Sequence, residues 1–219
     1  MEKPKELQFY HGGREWFGHF EVNPKSSAVM AHGPGLYLTN GIETARHYAK
    51  GGGVVQLIGI NPNAKLLCDV QTPFSEMTSF LKTNSIRKAR DIFDCLTESV
   101  ERMQTEDLPL ETLINLMVNF GALVPSSAKP LNEFIISQGA DIAVFRAPMF
   151  SSHGHGNDEW SVVFNPAVVL SRKKVDMKKF DWSETRLPTY QDQLSSISAL
   201  NASEVNAASE DSANLAMKM

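Results

Sequence analysis

The alternation of apolar and polar positions divides the chain into three zones and a tail. In the first zone, residues 1–71, "LQFYHGG" reads as a short strand that runs into a glycine turn, and "GLYLT" as a second strand. A helix is expected over 42–50, with Thr39 or Asn40 available to cap it. "GGGVVQLIGI" is a β-branched run after glycines, the pattern of a buried strand, and "NPN" stops it.

The second zone, 72–138, changes period. Thr72-Pro73 reads as a helix start, with proline where its missing N–H does no harm. Ile86, Ala89, Phe93, Leu96, Val100 and Met103 recur at steps of three and four, the stripe of one helix face. "DLPLETLINLMVNF" repeats the signal and Gly121 ends it. "KPLNEFIISQGAD" predicts a short helix and a turn. These stripes are most simply core, and no segment here has the pattern of a cofactor box.

The third zone, 139–182, returns to strands: "DIAVFRA", "EWSVVFN" and a short "AVVL", after which the basic run "RKKVDMKK" follows. The tail, 191–219, is small, polar and low in complexity. It is expected to be disordered, or a weak helix that needs a partner. Strands at both ends with helices between them predict an α+β fold rather than a strict βαβ alternation.

Composition narrows the class. The chain has 219 residues, 42% hydrophobic, enough for a sizeable core in one elaborated domain. Its formal net charge of −4 argues against generic polyanion binding. Two cysteines, Cys68 and Cys95, imply no disulfide framework and fit a reducing compartment. The first residues lack an apolar signal core, and no apolar run approaches ~18 residues. A cytoplasmic setting, of the producing cell or of a target cell, with no membrane partner is therefore expected.

Most familiar chemistries are missing. His153 and His155 invite a metal, but no further histidine follows them with ligand spacing, so a polar surface loop is the simpler reading and no metal is expected. There is no G-x-S-x-G elbow, and neither "GPG" nor "GGG" carries the spacing of a phosphate-binding or dinucleotide loop. What remains is His11, Tyr37, Tyr48 and Glu159, at strand ends and on a helix, far apart in sequence but in contexts that can surround one cleft.

Three segments in order carry a family resemblance: "FYHGG", "GPGLYLTNGIETARHYA" and "NDEWSVVFNP". Together they resemble the ADP-ribosyltransferases of the His-Tyr-Glu type, the branch that includes diphtheria-type toxins and poly-ADP-ribose polymerases. The likeness is nearest to bacterial and phage toxin or effector domains, and it covers about half of the chain. It implies a split β-sheet core built from 1–71 and 139–182, with an NAD cleft and 72–138 as a helical insertion. NAD⁺ would be the substrate, with no metal. Tyr37 and Tyr48 would stack on the two faces of the nicotinamide, a cationic ring suited to aromatic faces. Gly12 would bond the carboxamide through its backbone and His11 an adenosine-side ribose. Ala45 stands where the family often places a Ser or Thr for the carboxamide, with Thr44 beside it. Glu159 would stabilise the oxocarbenium-like sugar as nicotinamide leaves. Asp158 precedes it, and neighbours on a strand face opposite ways; Glu159 is chosen by its place in the motif.

The resemblance implies mono-ADP-ribosyl transfer to a macromolecule, protein or nucleic acid, with an antitoxin or immunity protein as a further possible partner. An NAD glycohydrolase with the same site, or an inactive nucleotide- or partner-binding module, are the alternatives. Two basic runs are candidate target contacts: Arg87, Lys88 and Arg90 in the helical zone, and Arg172, Lys173 and Lys174 after the last strand. The plain reading of both is a solvated face.

Overall fold

The computed structural model describes residues 6–15, 20, 30, 32–146, 158–200 and 202–203. Its order is β1 (Leu7–Gly13), β2 (Leu36–Thr39), α1 (Ile42–Tyr48), β3 (Val54–Ile60), β4 (Gln71–Pro73), α2 (Phe74–Thr83), α3 (Ala89–Met103), β5 (Asp107–Pro109), α4 (Leu110–Asn119), α5 (Pro125–Ser137), β6 (Ile142–Arg146), β7 (Glu159–Val163) and β8 (Val169–Lys174). Residues 190–200 form a last helix, α6. The fold is mixed α+β. Its main sheet has the order β6-β7-β2-β1-β3-β8, every strand antiparallel to its neighbours.

The sheet consists of two three-stranded halves. β1 pairs with β3 along its whole length, and β2 pairs with β7 from Leu36↔Val163 to Thr39↔Trp160. Between the halves, β1 and β2 share one pair, Tyr10↔Thr39. Past it the strands part, and the imidazole of His11 rather than its backbone reaches β2.

Cross-strand partners lie on one face of a sheet and neighbours along a strand on opposite faces. Tyr10, Thr39, Trp160, Tyr37 and Val162 therefore share a face. α1 covers the β1-β3 half of it, burying Tyr10, Ile42, Ala45 and Val55. Helices α2 to α5 cover the β2-β7 half, where Met77, Leu96, Leu113 and Leu131 pack with Val162 and Phe164. The opposite face presents Phe9, Leu38, Ile58 and Val163 to α6.

Local expectations mostly hold, with four adjustments. Helix α1 is not capped by Thr39 or Asn40; its N-cap is Gly41, Thr39 Oγ1 accepts from the Gly41 N–H, and Asn40 bonds elsewhere. Thr72-Pro73 does stand at a helix start, but Pro73 is the N-cap of α2 rather than its first residue, and both residues also belong to β4, whose pairing with β5 fixes the entry to α2. "RKK" does not follow the last strand but is part of it: β8 runs through Lys174 as an exposed edge, where charge discourages further strand pairing. Finally, the start of the tail is ordered. Tyr190, Leu194 and Ile197 of α6 pack on the sheet, and Gln193 makes two hydrogen bonds with the backbone of Gln8, at 2.7 and 2.9 Å. Residues 204–219 lie outside the described residues.

Gly121 does end α4, with φ +61° and the Ala122 N–H reaching back to Met117 O at 2.8 Å.

Candidate active site

His11 sits in the opening between the two sheet halves. Its Nδ1 lies 2.9 Å from the carbonyl oxygen of Tyr37. A carbonyl only accepts, so Nδ1 carries the proton; in the neutral ring Nε2 is then an acceptor. Burial pushes the His11 pKa below its ordinary value, against a smaller upward pull from the Tyr37 carbonyl. The neutral ring is the form this opening favours.

Tyr37 is fixed through its hydroxyl. The phenol donates to Gly33 O at 2.9 Å and accepts from the His32 N–H at 3.1 Å. Burial pushes its pKa up to about 12, so it stays protonated as that donor. The ring packs against the core of α2 to α5. His32, which sequence reasoning passed over, stacks on Phe145 with centroids 3.7 Å apart. The "HGPG" before Tyr37 was the available signal: its turn brings backbone groups to the phenol.

Tyr48 is placed differently. It ends α1 and is 57% exposed. Its ring meets Trp160 edge-on, 5.5 Å between centroids and 88° between planes, and also meets His47 edge-on at 5.4 Å. Among the described residues it is Trp160, rather than Tyr37, whose ring touches Tyr48. No gap separates Gly12 from Ala45. A Cβ at Gly12 would collide with the Ala45 carbonyl, so the glycine lets α1 lie directly on β1. Ala45 is a core residue, 1% exposed.

The two carboxylates part as alternation requires. Glu159 is on the face of α6, buried, and its Oε1 accepts from the Tyr190 N–H at 2.5 Å. Its own N–H donates to Asn40 Oδ1 at 2.8 Å, while Asn40 N donates to Glu159 O at 3.1 Å, so Asn40 ties the end of β2 to the start of β7. Asn40 also donates to Leu187 O at 3.1 Å. Asp158 is on the side of α1 and 2% exposed. It accepts from the Thr44 hydroxyl at 2.5 Å, and from Arg186 Nη2 and Nε at 2.7 and 2.9 Å. Thr44, the hydroxyl one turn before Tyr48, therefore holds a carboxylate.

The structure brings His11 to the Tyr37 carbonyl, while Glu159 opens β7 beside Asn40, just past the end of β2. His11 follows Tyr10 and Glu159 precedes Trp160, so both side chains leave from the α6 face. Tyr48 instead lines a cavity of about 650 Å³ on the α1 face, with His47, Lys50, Trp160, Lys174 and Met177. His11, Gly12, Tyr37 and Glu159 do not line it. Arg87, Lys88 and Arg90 lie at the start of α3, apart from this cavity, and Lys88 pairs with Asp91 at 3.2 Å. The loop with His153 and His155 lies outside the described residues. No described helix is long and apolar enough to cross a membrane.

No protein-family model, curated protein or solved structure matches the chain.

Proposed function

We propose that the protein transfers ADP-ribose from NAD⁺ to a macromolecular acceptor and releases nicotinamide, in the manner of a toxin or effector enzyme. One observation carries this reading. The main sheet loses its pairing between β1 and β2 within the first motif, past Tyr10, where His11 turns to the Tyr37 carbonyl, and Glu159, which opens β7 two strands away, leaves from the same face. A histidine from the first motif and a glutamate from the last thus share one face of the sheet on either side of β2, which supports reading that face as the NAD site.

Each residue has a chemical part. His11 offers Nε2 as an acceptor for a ribose hydroxyl. The Tyr190 N–H orients the Glu159 carboxylate. That carboxylate stabilises the positive charge on the sugar carbon as the glycosyl bond lengthens. Nicotinamide leaves a cationic bond as a neutral base, so no acid has to protonate it. Tyr37 supports the opening through its carbonyl and its anchored ring rather than by stacking. The acceptor hydroxyl or amine then gives up a proton, for which Glu159 is the nearest assigned base.

The test uses labelled NAD⁺ with a cell lysate, and Glu159→Gln. A glutamine oxygen still accepts from Tyr190, so the variant should keep its melting temperature, whereas label transfer should drop by about 10²–10³. Free ADP-ribose without labelled macromolecule would indicate a glycohydrolase. Wild-type transfer by Glu159→Gln would sink the assignment of the carboxylate, and no NAD⁺ consumption by the wild type would sink the reading as a whole.

A further inference from the structure

We infer that the α1-face cavity binds single-stranded nucleic acid: one base stacks at Tyr48 and Trp160, and the phosphate chain follows the basic edge formed by β8 and the residues after it. Three observations converge on it. The cavity has the size of a nucleotide site, at about 650 Å³. Two of its walls are aromatic, one of them a largely exposed tyrosine, and every base offers a π-face to such rings. Its charged lining is cationic in balance, with Arg46, Lys50 and Lys174 against Glu43.

The basic run singled out in the sequence joins this cavity. Lys174, Val175 and Met177 line it, while Lys173, Lys178 and Lys179 stand exposed beside it. Glu15, which pairs with Lys174 at 3.3 Å, and Asp176 oppose them, so the edge keeps a positive excess although the whole chain is acidic. An exposed third ring, Trp182, lies under Arg46, with the guanidinium carbon 5.4 Å from the ring centroid. An acidic peptide would satisfy the lysines but does not carry a flat ring with each charge. A nucleotide supplies both groups in one unit, and a single strand supplies them without unpairing a duplex.

Trp160 and Tyr48 touch edge-on, and an edge-on pair holds together by only a small increment beyond its buried area. The exposed tyrosine can swing aside and close over an entering base. Trp160 directly follows Glu159 on β7, so a strand held here passes beside the strand that carries the proposed catalytic carboxylate. Naming the bound strand an acceptor rests on the ADP-ribosyl-transfer reading; the binding itself does not.

The experiment is fluorescence anisotropy of a labelled single-stranded oligonucleotide of about 12 nucleotides, without NAD⁺, against the same sequence as a duplex. The wild type should bind the single strand more tightly, with affinity falling as salt rises. Tyr48→Ala and Trp160→Ala should each weaken binding roughly tenfold, and Trp160→Phe should keep most of it, which separates loss of a ring from loss of fold. Lys173→Glu/Lys179→Glu should weaken binding and flatten the salt slope by about 1.4. No single-strand binding at low salt, or equal affinity for the wild type, Tyr48→Ala and the lysine pair, overturns the site. NAD⁺ consumption measured on the same preparations keeps the two proposals apart. Binding without NAD⁺ cleavage upholds the site and removes the transferase reading. NAD⁺ cleavage that labels protein, with no oligonucleotide binding, does the reverse.

Discussion

Tyr37 and Tyr48 stand on either side of one strand-to-helix turn, yet they belong to opposite kinds of environment. Around Tyr37 the hydroxyl bonds both Gly33 and His32, the ring is packed, and the backbone carbonyl is taken by His11. Around Tyr48 the ring is mostly in solvent, and its described contacts are ring edges, Trp160 and His47. The first region is built before any ligand arrives; the second has spare surface for one. A buried polar group needs its partner in the folded state, whereas an exposed ring can wait for one at little cost. The same residue type is therefore structural at one end of the turn and available for binding at the other.

The sharpest way to break this contrast is at the seam. Gly12→Ala forces a methyl into the Ala45 carbonyl, a backbone group that cannot rotate away. Displacing α1 from β1 should cost about 3 kcal/mol in chemical denaturation, at the upper end for overpacking. Unchanged stability would show that α1 rides loosely on β1.

Acid should expose the same asymmetry. Burial lowers the pKa of His11 and of His32, the latter against an upward pull from Glu111. The unfolded chain then binds protons that the folded chain does not. Stability should be full above about pH 6.5, the ordinary histidine value, and fall as the pH drops below it. His11 contributes up to about 1.4 kcal/mol per pH unit in that window, and the more exposed His32 less because solvent screens it. Urea midpoints between pH 7.5 and 5 measure this, and His11→Gln should flatten the decline.

Tyr37→Phe keeps the ring but removes a hydroxyl with two partners, and should cost about 1 kcal/mol of stability. The stacking role predicted from sequence would have made this change nearly silent. Smallest of all, Tyr48→Ala should move stability by no more than about 0.5 kcal/mol, since it removes an exposed ring. A melting shift larger than that of Tyr37→Phe would reverse the contrast between the two regions.

Much of the chain could be read locally. The glycine-bounded strands β1, β2 and β3, the helix between them, the two amphipathic helices and the Gly121 stop all follow from period and turn chemistry. Of the two readings of the tail, a helix holds for its start, 191–200, where Leu194 and Ile197 continue the stripe begun by Tyr190. What composition missed is that three apolar anchors suffice when the helix also receives Glu159 at its first N–H and Gln193 returns two bonds to β1.

By itself the sequence determined β1, β2, β3, the helix between them, and the fact that Asp158, Glu159 and Trp160 must alternate between faces, because backbone geometry sets those over a few residues. Only the tertiary structure decided which face is which. That Glu159 looks to α6 while Asp158 and Trp160 look to α1, and that Trp160 rather than Tyr37 meets Tyr48, depends on pairing strands separated by more than a hundred residues. Such pairings are chosen by burial and packing summed over the whole sheet, and no local period of the chain encodes that sum.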